Sequence, residues 1–83
     1  MFNKNIAVLD FGSQNLTMLV GKVVKGELDI AGSAEVEYAG FINGEFLELE
    51  QLGTSLKQVI MNGNLFKDMF GKNIMEKYLQ IIQ

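Results

Sequence analysis

The sequence predicts an α+β fold in which a three-stranded antiparallel meander is followed by two helices. Two observations carry this prediction. Apolar residues recur with a strand-like pattern through the first half of the 83-residue chain, and with helical spacing through the second half. Short turn-forming segments separate the strand-like runs, which favours sequential antiparallel pairing.

The first strand is predicted over residues 5–11. Apolar side chains fall on both of its faces, with Ile6 and Val8 on one and Ala7, Leu9 and Phe11 on the other. Such a pattern is typical of a central strand that is covered on both sides. The turn formers Gly12-Ser13-Gln14-Asn15 then end it.

The second and third strands form the clearest hairpin of the sequence. Residues 16–24 resume an apolar, β-branched pattern, and Lys25-Gly26 provides a short turn. Residues 27–38 then alternate strictly. One parity is mostly apolar and the other mostly acidic or small, which predicts one buried and one wet face. The apolar parity consists of Leu28, Ile30, Gly32, Ala34, Val36 and Tyr38.

The second half changes period after a glycine-punctuated loop at residues 39–44. From about Glu48, one helix face is marked by Leu49, Leu52, Leu56, Val59 and Ile60. The turn formers Asn62-Gly63-Asn64 stop this helix. A second helix is predicted from about Leu65 to Ile82, weakened near its middle by Gly71.

Composition excludes several function classes. The chain contains neither cysteine nor histidine, which removes thiolate zinc sites and the usual general base near neutral pH. Seven lysines against ten acids, with no basic stripe, disfavour nucleic-acid binding. We expect no enzyme activity from the chain alone and no catalytic residues. Without a secretory signal or an apolar membrane span, we expect a cytoplasmic location.

The acidic residues are unevenly placed, since seven of the ten lie between Glu27 and Glu50. Two interpretations stay open. They form a solvated sheet face and a helix start, or they form a docking surface for a basic partner.

The segment Asp10-Phe-Gly-Ser-Gln-Asn15 is the candidate binding site. A tight glycine-bearing turn between two strands can expose successive backbone N–H groups to phosphate oxygens, and Gly12 permits a positive φ and close approach of a ligand. The Ser13 hydroxyl adds a donor. Asp10, at the strand end, can hold Mg²⁺ through water. The competing interpretation is an ordinary hairpin with no ligand.

This hairpin, in the context Ile6-Ala-Val-Leu-Asp10-Phe-Gly12-Ser13, resembles the first phosphate motif of the actin, Hsp70 and sugar-kinase superfamily. Later segments are similar to one branch, the FtsA family of bacterial actin-like cell-division proteins. They are Leu19-Val-Gly21-Lys-Val, Leu28-Asp-Ile-Ala-Gly32, the loop from Tyr38 to Gly44, and the leucines of the following helix. The resemblance covers about residues 5–60.

The resemblance implies the start of a ribonuclease-H-like subdomain that binds ATP and Mg²⁺. By that similarity Gly12, Ser13, Gln14 and Asn15 face the nucleotide phosphates and Asp10 faces the magnesium shell. The family's second phosphate hairpin has no counterpart here, so we expect binding of ATP and Mg²⁺ to be weak or absent, and no hydrolysis. The sequence is expected to be a truncated segment, with a partial ATPase subdomain at 1–61 and an amphipathic helix at 62–83.

Several partner interpretations follow from that division. The last helix covers the open apolar face of the sheet, lies on the inner face of the cell membrane, or has no selected role; its net charge of +1 is low for a membrane-surface helix. The first strand, which lacks its usual neighbour, leaves an unpaired edge. That edge is available to cell-division proteins or to self-association. The alternative function is therefore a non-enzymatic adaptor.

Overall fold

A computed structural model describes residues 4–82 of the chain. Its strands are β1 (Lys4–Phe11), β2 (Asn15–Val24), β3 (Glu27–Glu37), β4 (Phe41–Ile42) and β5 (Glu45–Phe46). Its helices are α1 (Leu49–Met61), α2 (Leu65–Phe70) and α3 (Lys72–Ile81), and a 3₁₀ turn at Asn62–Asn64 links the first two.

The predicted antiparallel meander is confirmed. The main sheet has the order β1-β2-β3, so each strand pairs with its neighbour in sequence. Strand β1 pairs with β2 in an unbroken register from Lys4 opposite Val23 to Phe11 opposite Leu16. The register between β2 and β3 shifts once, between Val20 and Gly21. The fold is a small α+β domain built from this sheet and the helices.

Strand β1 lies at an edge of the sheet, so the prediction of a covered central strand is wrong for it. Val8 is 42% exposed and Leu9 is 41% exposed, although they point to opposite faces. The most buried strand is β2, whose Leu16, Met18 and Val20 are at most 1% exposed. Strand β2 has a neighbour on each side and the helices above it, whereas β1 has one neighbour.

The alternating face of β3 is buried along only part of its length. Ala34 and Tyr38 are buried as predicted, but Leu28 is 53% exposed and Ile30 is 48% exposed. The helices contact the later half of this strand, where Leu65 of α2 lies against Gly32. Beyond the register shift, Ile30 pairs with Gly21 and Leu28 with Val23, so both lie on the face opposite to Val20 and the helices, which explains why they remain in water.

The predicted loop at residues 39–44 contains a second, smaller hairpin. Strands β4 and β5 pair through Phe41 and Phe46, and the turn residues Asn43 and Gly44 have φ of 52° and 79°. Two positive φ values are what a type I′ turn requires, and Asn-Gly is its preferred sequence. The two phenylalanines pack on Phe11, with ring centroids 5.8 and 4.9 Å away.

Helix α1 occupies the predicted position, and Asn62–Asn64 ends it. Val59 and Ile60 are buried on its inner face, whereas Leu49, at its first residue, is 69% exposed. The buried polar residue on that face is Ser55, whose hydroxyl donates to the carbonyl of Glu37 at 2.8 Å. That hydrogen bond fixes the helix against the end of β3.

The second predicted helix is two helices, because Gly71 breaks it. Gly71 has φ 92° and ψ 158°, a backbone region open essentially to glycine alone. Phe66 of α2 is buried in the same core as the sheet residues. Side chains packed against that core from the rest of this region are Leu65, Met69, Phe70, Met75, Leu79 and Ile82. Residues 65–82 therefore pack, together with α1, against part of the apolar face of the sheet.

Candidate functional site

The candidate phosphate hairpin lies at the open end of the β1–β2 pair. The N–H of Gly12 donates to the carbonyl of Asn15 at 2.8 Å, which leaves Ser13 and Gln14 as the two residues of the loop. All four residues, Gly12 to Asn15, are exposed. The structure therefore brings the four predicted phosphate contacts together at one accessible tip.

The backbone of this turn differs from the expected nest. None of the four residues Gly12, Ser13, Gln14 and Asn15 has a positive φ. A nest alternates right-handed and left-handed residues, so this turn is not one. A Cβ at Gly12 would meet only the Asn15 carbonyl oxygen, at 3.4 Å. The fold therefore does not require glycine at this position.

The tip is held firmly at its base and is open above. The N–H of Tyr38 donates to the carbonyl of Gln14 at 2.9 Å, which ties the loop to the end of β3. Tyr38 is itself fully buried, and its hydroxyl donates to the carbonyl of Leu47 at 2.6 Å. Within residues 4–82, the N–H groups of Ser13 and Gln14 make no turn or loop hydrogen bond. Both are available to an anion.

Asp10 stands two residues before Gly12 and is exposed. It lies opposite Thr17, which in turn lies opposite Glu35 across the sheet. Two strand spacings put the Cα atoms of Asp10 and Glu35 roughly 10 Å apart, with Thr17 between them. Among the residues that the structure describes there is no group of three acidic side chains placed to hold a metal. Magnesium contact would rest on Asp10, waters and the nucleotide.

A second feature, which the sequence pattern did not reveal, is an apolar groove of about 390 Å³ beside β1. Its floor is Ala7, Leu9 and Met18, on the face of the sheet that carries the helices. Its wall is formed by Ile60, Phe66, Phe70, Ile74 and Tyr78. Leu9, Ile74 and Tyr78 remain more than 40% exposed. The alternating positions of Ala7 and Leu9 indicated this face, but they did not show that the helices leave it open.

The last helices carry no membrane-crossing segment. The longest helix between residues 4 and 82 has 13 residues, and none of the described helices is long and apolar enough to pass through a bilayer. The apolar side chains of α2 face the core, and those left exposed on α3 are Ile74, Tyr78 and Ile81.

Comparison of the chain with protein-family models, with curated proteins and with solved structures finds no match to any of them.

Proposed function

We propose that the hairpin from Asp10 to Asn15 binds the phosphate chain of a magnesium nucleotide, as the opening hairpin of an FtsA-like, actin-type ATPase lobe. The observation that carries this proposal is the exposed tip, where the amides of Ser13 and Gln14 are unpaired within the described residues. Unpaired backbone N–H groups beside a hydroxyl can donate charge-assisted hydrogen bonds to phosphate oxygens.

The proposal is binding without hydrolysis. One hairpin contacts a phosphate chain from one side, and Asp10 is the single carboxylate at this end of β1. The ribonuclease-H-like subdomain belongs to the same proposal, supported by the β-β-β-α order of β1, β2, β3 and α1. Residues 4–82 supply the sheet and one crossover helix of such a lobe.

An amide-resolved NMR titration with Mg-ATP tests this function. We expect the resonances of Gly12 to Asn15 to shift in a saturable way, while Gly26, at the opposite end of β2, does not move. Asp10→Asn and Ser13→Ala should each weaken binding severalfold. Ser33→Ala, at an exposed position on β3, serves as the matched control and should bind as the wild type does.

Inorganic triphosphate in place of ATP separates phosphate recognition from base recognition. Shifts that are confined to lysine-bearing segments such as Lys25 and Lys72, or unchanged shifts in the Asp10→Asn variant, would contradict the proposal. So would an absence of shifts at millimolar Mg-ATP.

The second candidate function is a non-enzymatic adaptor. The observation that favours it is the edge strand β1, whose apolar residue Leu9 is exposed in the groove and whose Val8 is exposed on the opposite face. An unpaired strand edge next to an apolar surface is the usual setting for strand addition by a partner. Peripheral membrane contact through α3 belongs to the same candidate.

A further inference from the structure

We propose that the chain forms a homodimer in which β1 pairs antiparallel with β1 of a second copy. The two three-stranded sheets would then join into one six-stranded sheet. This proposal does not depend on nucleotide binding. It rests on the free edge of β1, on the order of its side chains and on the groove beside it.

The outward backbone groups of β1 belong to its odd-numbered residues. The hydrogen bond from Gly12 to Asn15 makes this pair a hydrogen-bonded one. Hydrogen-bonded and non-hydrogen-bonded pairs alternate along an antiparallel ladder. The even residues of β1 therefore bond to β2, whereas Asn5, Ala7 and Leu9 direct their N–H and C=O groups away from it. A second strand must pair odd residues with odd residues.

One such register places complementary side chains of the two β1 strands opposite each other. With Ala7 on the twofold axis, Lys4 lies opposite Asp10 of the second copy, and this pair occurs twice. Ile6 lies opposite Val8 of the second copy, so apolar meets apolar on the same face. Moving the axis to Val8 would place Ile6 against Asp10, and parallel pairing would place Lys4 beside Lys4. Opposite charges and β-branched pairs stabilise directly opposed positions, and like charges destabilise them.

The other edge of the sheet, strand β3, is protected against pairing with a second copy. Strand β3 carries the exposed acids Glu27, Asp29, Glu35 and Glu37, and its register with β2 is interrupted next to Gly21. Charges and irregularities are the devices that keep edge strands apart. Strand β1 has neither in its middle, where four consecutive apolar residues follow Asn5 in an unbroken register. Its edge is the one suited to a second copy.

The groove beside β1 also supports antiparallel pairing with β1 of a second copy. The side-chain amide of Asn5 donates to the carbonyl of Met69 at 2.6 Å, which holds α2 over the start of β1. In the Ala7-centred register, Asn5 of one copy lies opposite Leu9 of the other. Helix α2 of each copy would therefore approach the exposed Leu9 of its partner. The two grooves would then be covered by each other.

Charge reversal tests the register with the full chain in nucleotide-free buffer. We expect the wild type to sediment as a dimer at micromolar to submillimolar concentration. Lys4→Glu or Asp10→Lys alone should weaken association roughly tenfold, because each places like charges at both symmetric pairs. A mixture of the two single variants should form a heterodimer, since both of its pairs are again of opposite charge. Circular dichroism confirms that each variant is folded.

Crosslinking gives a second, independent readout. The chain contains no cysteine, and opposed Cα atoms of a hydrogen-bonded pair lie ~5.5 Å apart, within disulfide range. Ala7→Cys should oxidise to a covalent dimer much faster than the control Ser33→Cys, an exposed site on β3.

Three outcomes would overturn the dimer. They are a wild type that stays monomeric, single variants that mix without associating, and equal oxidation at both cysteine positions. A monomer that instead floats with anionic vesicles would assign the apolar surface to lipid.

Discussion

At the scale of single residues, backbone conformation explains which turns the chain makes. The described residues other than glycine with positive φ are Lys25, Asn43, Glu48 and Asn64. Asparagine tolerates the left-handed region better than most residues because its short side chain bonds locally, whereas lysine and glutamate gain nothing there. Lys25 and Glu48 are therefore positions at which the chain is less stable than it could be.

Lys25→Asn should stabilise the protein by about 0.5–1 kcal/mol. Lys25 and Gly26 have φ of 53° and 79°, the pattern of a type I′ turn, for which Asn-Gly is preferred. Lys25 is exposed and makes no salt bridge in the described part of the chain. Urea denaturation followed by circular dichroism would measure the change. Lys22→Asn, an exposed strand position of the same charge, is the control and should be neutral or destabilising. A lower midpoint for Lys25→Asn would contradict this account of the turn.

At the scale of elements, periodicity located the strands and the first helix to within one or two residues. Alternation does not show which strand lies at an edge of the sheet, and it does not show the register shift that places Leu28 on the face opposite to the helices. The break between α2 and α3 depends on the single residue Gly71, and the β4–β5 hairpin depends on the Asn43-Gly44 turn. Both signals are present in the sequence, but the helical spacing across residues 65–82 favoured one continuous helix, and the glycines of residues 39–44 favoured a loop.

The connection between β3 and α1 depends on Tyr38, which sequence alternation placed on the buried face without showing its bond. Its ring packs edge-on against Phe11, with ring centroids 6.2 Å apart, and its hydroxyl donates a hydrogen bond to the carbonyl of Leu47. Tyr38→Phe keeps the packing and removes the donor. We expect a loss of about 1–2 kcal/mol in the free energy of unfolding, since a part-buried carbonyl loses its hydrogen-bond donor.

The matched control for this substitution is Tyr78→Phe, because Tyr78 is 49% exposed. Its loss should stay within about 0.5 kcal/mol. Equal losses for the two variants would show that the hydroxyl of Tyr38 does not stabilise the junction.

At the scale of the whole molecule, the core lies on one side of the sheet. The molecule measures 41 × 26 × 18 Å, and the helices lie over the middle of one face. The positions of the candidate hairpin residues follow from the strand pattern, and in the structure these residues form one exposed turn. Their ligand does not follow from local geometry, because an exposed hairpin with free amides serves equally as a plain turn. The groove depends on where Gly71 turns the chain, which no single segment encodes.

Phe66 is the residue through which the segment 62–82 contributes most to this core. It is 6% exposed, stacks on Phe70 at 4.6 Å and meets Tyr78 edge-on at 5.9 Å. Phe66→Ala should cost about 3–5 kcal/mol, a large part of what a domain of this size can have. Ile81→Ala, at a site 68% exposed, should cost less than about 0.5 kcal/mol. Denaturant titrations of both variants compare them directly. If the two losses were equal, the last helices would be an appendage to the sheet; a loss confined to Phe66→Ala makes them part of one cooperative core.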